Sequence, residues 1–257
     1  MSGSLSFDRA AGYYDATRVT DEATLEQIVT LIRTHVAGEG HLLEVGVGTG
    51  QLALPLAARG VAVTGLDLSA AMMAKLVEKV GGTPPVALVR GDATAMPFRD
   101  SSFDGAYARW VLHLIPDWEA VLRELDRVVR DGGAIAIEPG GESGVFREVF
   151  LRFLQILGDV ARPPGLSPVD RDVHLDAAMA AQGWNVEHVE ALSYESEEPL
   201  ASFFDEIPER RFSWTWRVPH DALEAATIEV RAWAADRYDL RALPPAVATR
   251  WRVYRRV

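Results

Sequence analysis

Short apolar runs alternate with amphipathic segments along the first half of the chain. The runs LLEVG, VAVTGLD, VALVR, FDGAYAR and GAIAIEP are typical of buried strands. The stretches around them, beginning with TDEATLEQIVTLIRTHV, carry apolar residues at helical spacing. Each crossover helix must return the chain to the same edge of the sheet. The alternation therefore predicts a doubly wound α/β fold with parallel strands and helices on both faces.

The alternation ends after Glu138. ESGVFREVFLRFLQILGD predicts a helix, RPPGLSP a loop, and DVHLDAAMAAQGW a helix that ends at Gly183. NVEHVEALSYE and the terminal RWRVYRRV predict two further strands, and the roughly fifty residues between them are too many for a plain hairpin.

The segment between these two late strands is rich in aromatic residues. We interpret them as a satellite core beneath an insertion, as an apolar wall over a pocket, or as both. The residues are Phe203, Phe204, Phe212, Trp214, Trp216 and Trp233.

Composition narrows the class of protein. The 257 residues suit one large α/β domain with an inserted cap, and 48% apolar with 25% charged residues is an ordinary globular balance. Acidic residues outnumber basic ones by 37 to 26, a net charge of −11 that disfavours nucleic acid as a partner. The only notable basic cluster, RWRVYRR, alternates with apolar residues as a half-exposed strand does.

Several kinds of chemistry are excluded. The chain has no cysteine, which removes disulfides, thiolate zinc sites and cysteine nucleophiles. His35, His174, His188 and His220 lack metal-ligand spacing, so no metal is expected. The N-terminus has no apolar signal core, and no run of about eighteen apolar residues occurs, so we expect a cytoplasmic location and no membrane insertion.

A glycine-rich loop joins the first strand to a helix in LLEVGVGTGQLALPL. Gly46, Gly48 and Gly50 supply positive φ and a surface that a ligand can approach closely. Gln51 stands where the dinucleotide-binding fingerprint needs a small residue. The carboxylate of Glu44 suits a ligand with positive charge and is poorly placed beside a diphosphate.

The next two strands end in residues that suit an adenosine. Asp67, about twenty residues after the loop begins, can accept hydrogen bonds from both hydroxyls of a ribose. A helix-capping role is the alternative for Asp67, but Ser69 is the better-placed N-cap of the helix that follows. After the third strand, GDATAMPF places Asp92 and Ala93 where they can read an adenine edge, and Met72 can contribute to the same slot. Together the three strand ends predict an adenosine-containing ligand.

This set of motifs, E-x-G-x-G-x-G with the spaced Asp and a GDA segment followed by PF, resembles the class I S-adenosylmethionine-dependent methyltransferases. It is most similar to their small-molecule branch, methyltransferase type 11, which includes the ubiquinone and menaquinone methyltransferase-like proteins. The resemblance covers residues 10 to 140, roughly, and implies a Rossmann-like, seven-stranded, mainly parallel sheet with an antiparallel strand near its edge, plus a helical and aromatic cap insertion.

The resemblance also implies the domain organisation. We expect one domain over 1–257, with its core near 38–140 and 184–257, an N-terminal lid near 7–36, and cap insertions near 141–183 and 197–248.

For the site, the resemblance implies S-adenosylmethionine as cofactor and S-adenosylhomocysteine as product. Glu44 and the three glycines would surround the methionine part, Asp67 the ribose, and Asp92 with Ala93 the adenine. The expected cofactor-binding residues are Tyr14, Arg18, Glu44, Gly46, Gly48, Gly50, Asp67, Leu68, Met72, Gly91, Asp92, Ala93, Arg109 and His113.

Methyl transfer from a sulfonium is an in-line displacement, in which positioning supplies roughly 7–11 kcal/mol and a general base less. His113, just past the fourth strand, is the best candidate base; the alternative is a half-buried histidine that packs against the following turn. Tyr14 is the second catalytic candidate, because GYYDATR resembles the segment that folds over the cofactor in many relatives. The Asn/Asp-Pro-Pro-aromatic motif of the branches that methylate DNA bases does not occur.

The expected function is methyl transfer to O, N or C of a small, fairly apolar acceptor by a monomer or homodimer. The alternatives are an NAD(P)-dependent Rossmann oxidoreductase and a non-catalytic S-adenosylmethionine-binding module.

Overall fold

The computed structural model of the chain describes residues 3–18, 20–38, 40–140, 144–194 and 198–256. Its described residues form two compact units. The first unit comprises those within 1–140, 164–192 and 250–257, and the second those within 141–163 and 193–249.

A seven-stranded sheet runs through the structure. Its strands are β1 (His41–Val45), β2 (Ala62–Asp67), β3 (Ala87–Arg90), β4 (Phe103–Arg109), β5 (Val129–Glu138), β6 (Trp184–Tyr194) and β7 (Val247–Arg256). The strand order is β3-β2-β1-β4-β5-β7-β6, with β1 to β5 parallel and β7 antiparallel to β5. The predicted Rossmann-like sheet with an antiparallel strand near its edge is confirmed.

The order of strands fixes where a ligand can bind. The chain moves outward from β1 to β3 on one side and then crosses to β4 on the other side of β1. The carboxyl ends of β1 and β4 therefore lie at the topological switch point, where crevices form in open α/β sheets. The glycine-rich loop follows β1 directly.

The helices in the described part of the chain are α1 (Tyr14–Thr17), α2 (Glu22–Ile32), α3 (Ala53–Ala58), α4 (Ala70–Val80), α5 (Trp118–Val128), α6 (Gly144–Leu157), α7 (Arg171–Ala180), α8 (Leu200–Glu206) and α9 (His220–Ala235). In the unit that contains β1, helices pack with the strands in two separate buried clusters. Ile28 of α2 and Leu56 of α3 belong to one buried cluster, whereas Val121 of α5 and Leu175 of α7 belong to a second one.

Local capping explains why two of these helices begin where they do. The side chain of Ser69 accepts a hydrogen bond from the amide of Met72 and caps α4, as the sequence predicted. Asp117 accepts from the amide of Ala120 and caps α5. A free N–H group at each helix start is thereby satisfied.

The compact units divide the chain differently from the expected lid and cap boundaries. Residues 164–183, expected in the first cap insertion, lie in the unit with β1, because Leu175 and Met179 pack with Trp184 in its core. The expected lid over 7–36 includes α2, whose Ile28 and Ile32 are fully buried. Helix α2 is therefore part of the core, and only the residues before it are left for a lid.

The second unit has an aromatic core of its own. The ring centroids of Phe153 and Trp214 lie 5.1 Å apart, and those of Phe203 and Phe212 lie 4.9 Å apart. These rings belong to one buried cluster that includes residues of α6, α8 and α9. The aromatic residues of the insertion thus form the satellite core that one interpretation of the sequence predicted. Trp216 and Trp233 are only partly buried.

The C-terminal arginines are neutralised by neighbouring acids. Arg252 is paired with Asp172 and Asp176 of α7, and its side chain is only 13% exposed. Arg255 pairs with Glu187 on β6. This cluster is therefore an ion-paired strand face and offers no open basic patch.

None of the helices in the described ranges combines the length and apolar character needed to cross a bilayer.

A glycine in β4 allows the chain after α2 to pack close to the sheet. A Cβ on Gly105 would lie 2.8 Å from Cγ1 of Val36 and 2.9 Å from the carbonyl oxygen of Ala134. We expect Gly105→Ala to destabilise the protein by about 1–3 kcal/mol through overpacking. Thermal unfolding should show a midpoint lowered by about 2–10 °C. Gly12→Ala is the control, because nothing lies within 4 Å of the added methyl group; equal midpoints for both variants would contradict the packing argument.

Candidate functional site

The loop after β1 adopts a conformation that requires glycine. Gly46 has φ +79° and Gly50 has φ +80°, both in the left-handed region. A Cβ on Gly50 would lie 2.7 Å from Cδ1 of Leu76 in α4. The loop is thereby held tightly against its own helices, and its other side faces a cleft.

This cleft encloses about 330 Å³ with its open mouth, a size within the range of small-molecule sites. Five of the predicted site residues line it, namely Tyr14, Glu44, Gly46, Gly48 and Arg109. Trp110, which follows Arg109, lines it as well, and four lining residues were not predicted, namely Val47, Thr49, Gln51 and Leu52.

Glu44 brings a buried carboxyl group to this cleft. It is the fourth residue of β1 and only 4% exposed. The hydroxyl of Tyr107 on β4 donates to its Oε2 at 2.9 Å. Burial raises the pKa of Glu44 to about 8, against the lowering effect of the Tyr107 hydroxyl. The carboxyl group therefore takes up or releases a proton near neutral pH.

Tyr107 was missed in the sequence, although a signal exists. Glu44 and Tyr107 are register partners in the pairing of β1 with β4. Aligning LLEVG with FDGAYAR would have placed the single hydroxyl of the second strand beside the single acid of the first.

Asp67 ends β2 beside the glycine-rich loop. Its carboxylate accepts hydrogen bonds from the amide of Gly48 at 2.7 Å and from the amide of Ser69 at 2.8 Å. Burial raises the pKa of Asp67. The side chain thus braces the loop from the position predicted for ribose recognition.

The end of β3 is joined to the end of β2 through the backbone. The amide of Gly91 donates to the carbonyl oxygen of Asp67 at 3.0 Å. Asp92 accepts from the amide of Thr94 at 3.0 Å, and Ala93 is buried in the core. These residues follow the strand as predicted but do not line the cleft described above.

Met72 and Leu68 lie on the helix side of the loop. Cε of Met72 is 3.4 Å from the place that a Cβ on Gly48 would occupy, so its thioether packs on the glycine-rich loop. Leu68 directly follows β2 and is partly buried. Neither side chain is among those that line the cleft.

The N-terminal residues 4–18, which we call the strap, are anchored at the glycine-rich loop. Asp15 accepts from the hydroxyl of Thr49 at 2.6 Å and forms an ion pair with Lys79 of α4 at 3.1 Å. The carbonyl oxygen of Arg18 accepts from Nε2 of Gln51 at 2.8 Å. Gln51, noted in the sequence only as a departure from the dinucleotide fingerprint, therefore holds the end of the strap.

A second anchor lies at the start of α4. Asp8 accepts from the hydroxyl of Ser69 at 2.6 Å and from the amide of Ala71 at 3.1 Å. A carboxylate is favoured there by the helix dipole. Between the two anchors, Tyr14 lines the cleft, and burial raises its pKa above that of a free tyrosine.

The end of β4 forms another wall of the cleft. The guanidinium of Arg109 lies 4.0 Å from the ring centroid of Trp110 and donates to the hydroxyl of Thr20 at 3.0 Å. Trp110 has φ +56°, which is a true outlier for a bulky residue. Its amide donates to the carbonyl oxygen of Glu138 at 3.0 Å. Backbone strain of this kind concentrates at functional sites.

His113 lies in a short turn after β4 and is partly buried. Its Nδ1 is buried and has no hydrogen-bond partner among the described residues. Burial, with the nearby charges of Arg171 and Arg18, lowers its pKa to about 4. The imidazole is therefore neutral at physiological pH, as a general base must be. It is not among the residues that line the cleft, so its catalytic role stays a prediction.

The remaining histidines are less scattered than their spacing suggested. The rings of His35 and His188 are stacked with centroids 4.3 Å apart, and His188 lies 2.9 Å from Glu190. The two histidines are far apart in sequence, and only the folded chain brings them together. Across the described ranges, no group of three metal-ligating side chains could hold an ion.

Comparisons with known proteins show that this chain is similar to methyltransferases. Residues 43–137 match the family model described as a methyltransferase domain. A phosphatidylethanolamine N-methyltransferase of Cereibacter sphaeroides is 46% identical over 101 residues, which are 38% of this chain and 49% of that protein. A demethylmenaquinone methyltransferase of Desulfitobacterium hafniense (strain Y51) is 30% identical over 176 residues, 63% of each chain. The chain thus spans about half to two thirds of the length of these relatives.

A solved S-adenosylmethionine-dependent methyltransferase of Methanosarcina mazei has the same fold. It superposes with a TM-score of 0.56 at 15% identity, over 88% of this chain and 97% of that one. The segment 43–137 that matches the family model begins within β1, ends one residue before the end of β5 and includes the whole glycine-rich loop. The predicted family resemblance is confirmed, and the cofactor of this family is S-adenosylmethionine.

The strap generates a testable prediction. Asp15→Ala leaves the buried hydroxyl of Thr49, which is 1% exposed, without its acceptor. We expect the free energy of opening the strap to fall by about 1–2 kcal/mol, so that its amides exchange hydrogen about five to thirty times faster. Mass spectrometry of peptides within residues 8–18 measures this rate. Asp131→Ala removes an exposed carboxylate paired with Arg256 and is the control; unchanged exchange in Asp15→Ala would show that Asp15 does not anchor the strap.

Proposed function

We propose that this chain, whose residues 43–137 match the family model described as a methyltransferase domain, transfers a methyl group from S-adenosylmethionine to O, N or C of a small, fairly apolar acceptor. The observation that carries the proposal is the buried carboxyl of Glu44 at the floor of a cleft formed by the glycine-rich loop. A cationic ligand suits such a group, and a diphosphate does not.

The cleft residues fit a cofactor with a zwitterionic amino acid part. Glu44 would face its ammonium group, and the guanidinium groups of Arg18 and Arg109 would supply the positive charge that its carboxylate needs. Gly46, Gly48 and Gly50 leave the backbone open to close approach. Tyr14 of the strap would cover the bound molecule and exclude water.

The nucleoside part would lie along the neighbouring strand ends. The carboxylate of Asp67 would accept hydrogen bonds from the ribose hydroxyls while it braces the loop. The adenine would lie beside the segment after β3 and the start of α4. The residues assigned to it are Leu68, Met72, Gly91, Asp92 and Ala93.

When bound, S-adenosylmethionine supplies a sulfonium methyl group for in-line displacement. The protein must then align the acceptor and keep water out, and the paired side chains of Arg109 and Trp110 form a fixed wall suited to that task. Where the acceptor loses a proton, the neutral imidazole of His113 would take it up. No general base is needed for an acceptor that is already an anion or a neutral amine.

The acceptor class rests on the names of the relatives. One acts on phosphatidylethanolamine and the other is named for demethylmenaquinone, and both of these acceptors are largely apolar.

Calorimetric titration and a transfer assay test the function. We expect S-adenosylhomocysteine to bind in the micromolar range and NAD(H) not to bind. Incubation with methyl-labelled S-adenosylmethionine and a metabolite extract should then label a small molecule. Binding of NAD(H) alone would overturn the proposal. Tight binding of S-adenosylhomocysteine without transfer to any extract would favour a non-catalytic binding module.

One substitution tests the assignment of the ribose contact. Charge-assisted hydrogen bonds contribute roughly 1.5–3 kcal/mol each. Asp67→Ala should therefore weaken the binding of S-adenosylhomocysteine by a factor of about ten or more. Because Asp67 also braces Gly48, the same measurement is made with the 2′,3′-dideoxy analogue of that ligand. A ribose contact predicts a clearly smaller loss for the analogue. Equal losses would mean that Asp67 acts on the loop alone.

A further inference from the structure

Tyr107 is a buried tyrosine in the middle strand pair of the sheet that the proposed function does not yet use. It is fully buried, and β4 is otherwise apolar between Gly105 and Arg109. Its ring belongs to the core cluster that also contains residues of α2 and α3. A phenylalanine would fill the same space, so the hydroxyl needs a separate explanation.

Among the described residues, the hydroxyl of Tyr107 has one hydrogen-bond partner, Glu44, which lines the cleft. It donates to Oε2 of Glu44 at 2.9 Å. The pairing of β1 with β4 places the two residues directly opposite each other. Burial and the neighbouring carboxyl group raise the pKa of Tyr107 well above its ordinary value, so the hydroxyl remains a neutral donor at every physiological pH.

This donor acts on a carboxyl group that is otherwise hard to ionise. Burial disfavours the negative charge of Glu44, and the hydroxyl of Tyr107 and the amide of Ala53 favour it. The other ionisable groups near Glu44 come from three further positions: Asp67 on β2, Arg109 at the end of β4 and Tyr14 on α1. Asp67 opposes ionisation of Glu44, and Arg109 supports it.

We propose that Tyr107 is a positioning residue for the cofactor: its hydroxyl fixes the carboxyl group of Glu44 and favours the ionised form that accepts the ammonium group of the amino acid part. The inference rests on the proposed function, since it assigns a ligand group to the cleft. Tyr107 itself touches no ligand in this scheme, because it lies behind Glu44.

The consequence is a link between cofactor binding and proton release. In the free protein Glu44 has a pKa of about 8, so at pH 7 most of its carboxyl groups are protonated. A ligand ammonium group binds the ionised form, and one proton leaves. Affinity for S-adenosylhomocysteine should therefore rise as the pH rises from 6 to 8. Removing the hydroxyl raises the pKa of Glu44 and moves this rise to higher pH.

The test compares two ligands in wild type and Tyr107→Phe. At pH 7 we expect the variant to bind S-adenosylhomocysteine about tenfold more weakly, because losing the hydroxyl raises the pKa of Glu44 by about one. The affinity of 5′-methylthioadenosine, which lacks the amino acid part, should be the same in both proteins and independent of pH. Titrations at pH 6, 7 and 8 in two buffers of different ionisation enthalpy report the released proton directly.

Tyr254→Phe is the matched control. Tyr254 on β7 is also fully buried, and its hydroxyl donates to the carboxylate of Asp176 on α7 at 2.7 Å. This variant loses the same kind of hydrogen bond away from the cleft, so its ligand affinities and pH profile should equal those of wild type. Thermal unfolding of both variants checks that they fold.

The outcomes separate the inference from the proposed function. If wild type binds S-adenosylhomocysteine and Tyr107→Phe binds it equally well with the same pH profile, the role of Tyr107 is overturned and the proposed function stands. Equal weakening for both ligands in Tyr107→Phe also overturns it, because the effect is then on the fold of the cleft. If wild type binds neither ligand, the proposed function fails, and the inference fails with it.

Discussion

The burial of one carboxyl group at the end of β1 is the constraint around which this site is built. An ionised carboxylate loses most of its hydration there, and only a few protein groups replace it. Glu44 keeps a hydroxyl and a backbone amide as partners, yet burial still raises its pKa to about 8. An apolar residue in this place would stabilise the sheet more. A buried acid with a raised pKa in a cleft is common at functional sites, and this observation supports the proposed role of Glu44 in ligand binding.

Hydrogen bonds at the neighbouring strand ends hold the glycine-rich loop in place beside this buried carboxyl group. The carboxylate of Asp67 accepts hydrogen bonds from the amide of Gly48 in the loop and from the amide of Ser69 at the start of α4, and its carbonyl oxygen accepts from the amide of Gly91 after β3. The ends of β1, β2 and β3 are thus tied together through backbone amides. A loop with left-handed residues is held in one conformation without bulky side chains, and its surface stays open to a ligand. Because the loop is already rigid and its surface is accessible, a ligand can bind without a large loss of conformational entropy in the loop.

Local sequence patterns predicted the parts of the fold that local physics decides. Alternating apolar runs gave the strands from β1 to β5, and Ser69 was identified as a helix cap. The acid before the glycine-rich loop was identified for its charge. Partnerships across the sheet depend on strand register, which no single segment encodes, so the bond between Glu44 and Tyr107 was missed. The stacking of His35 on His188 was missed because the two residues are far apart in sequence and meet only in the folded chain.

The strained end of β4 was missed for a different reason, and the boundary of the cap likewise depends on packing that local patterns do not encode. Helix α7 has the same local pattern whether it covers the sheet or belongs to an insertion, and only the packing of Leu175 decides. The left-handed backbone of Trp110 contradicts its intrinsic preference, which costs about 1–3 kcal/mol. The hydrogen bond to Glu138 and the stacked guanidinium of Arg109 oppose that cost. Sequence rules fail where the fold holds a residue against its conformational preference. Trp110 is such a residue, and it lines the same cleft as the buried Glu44.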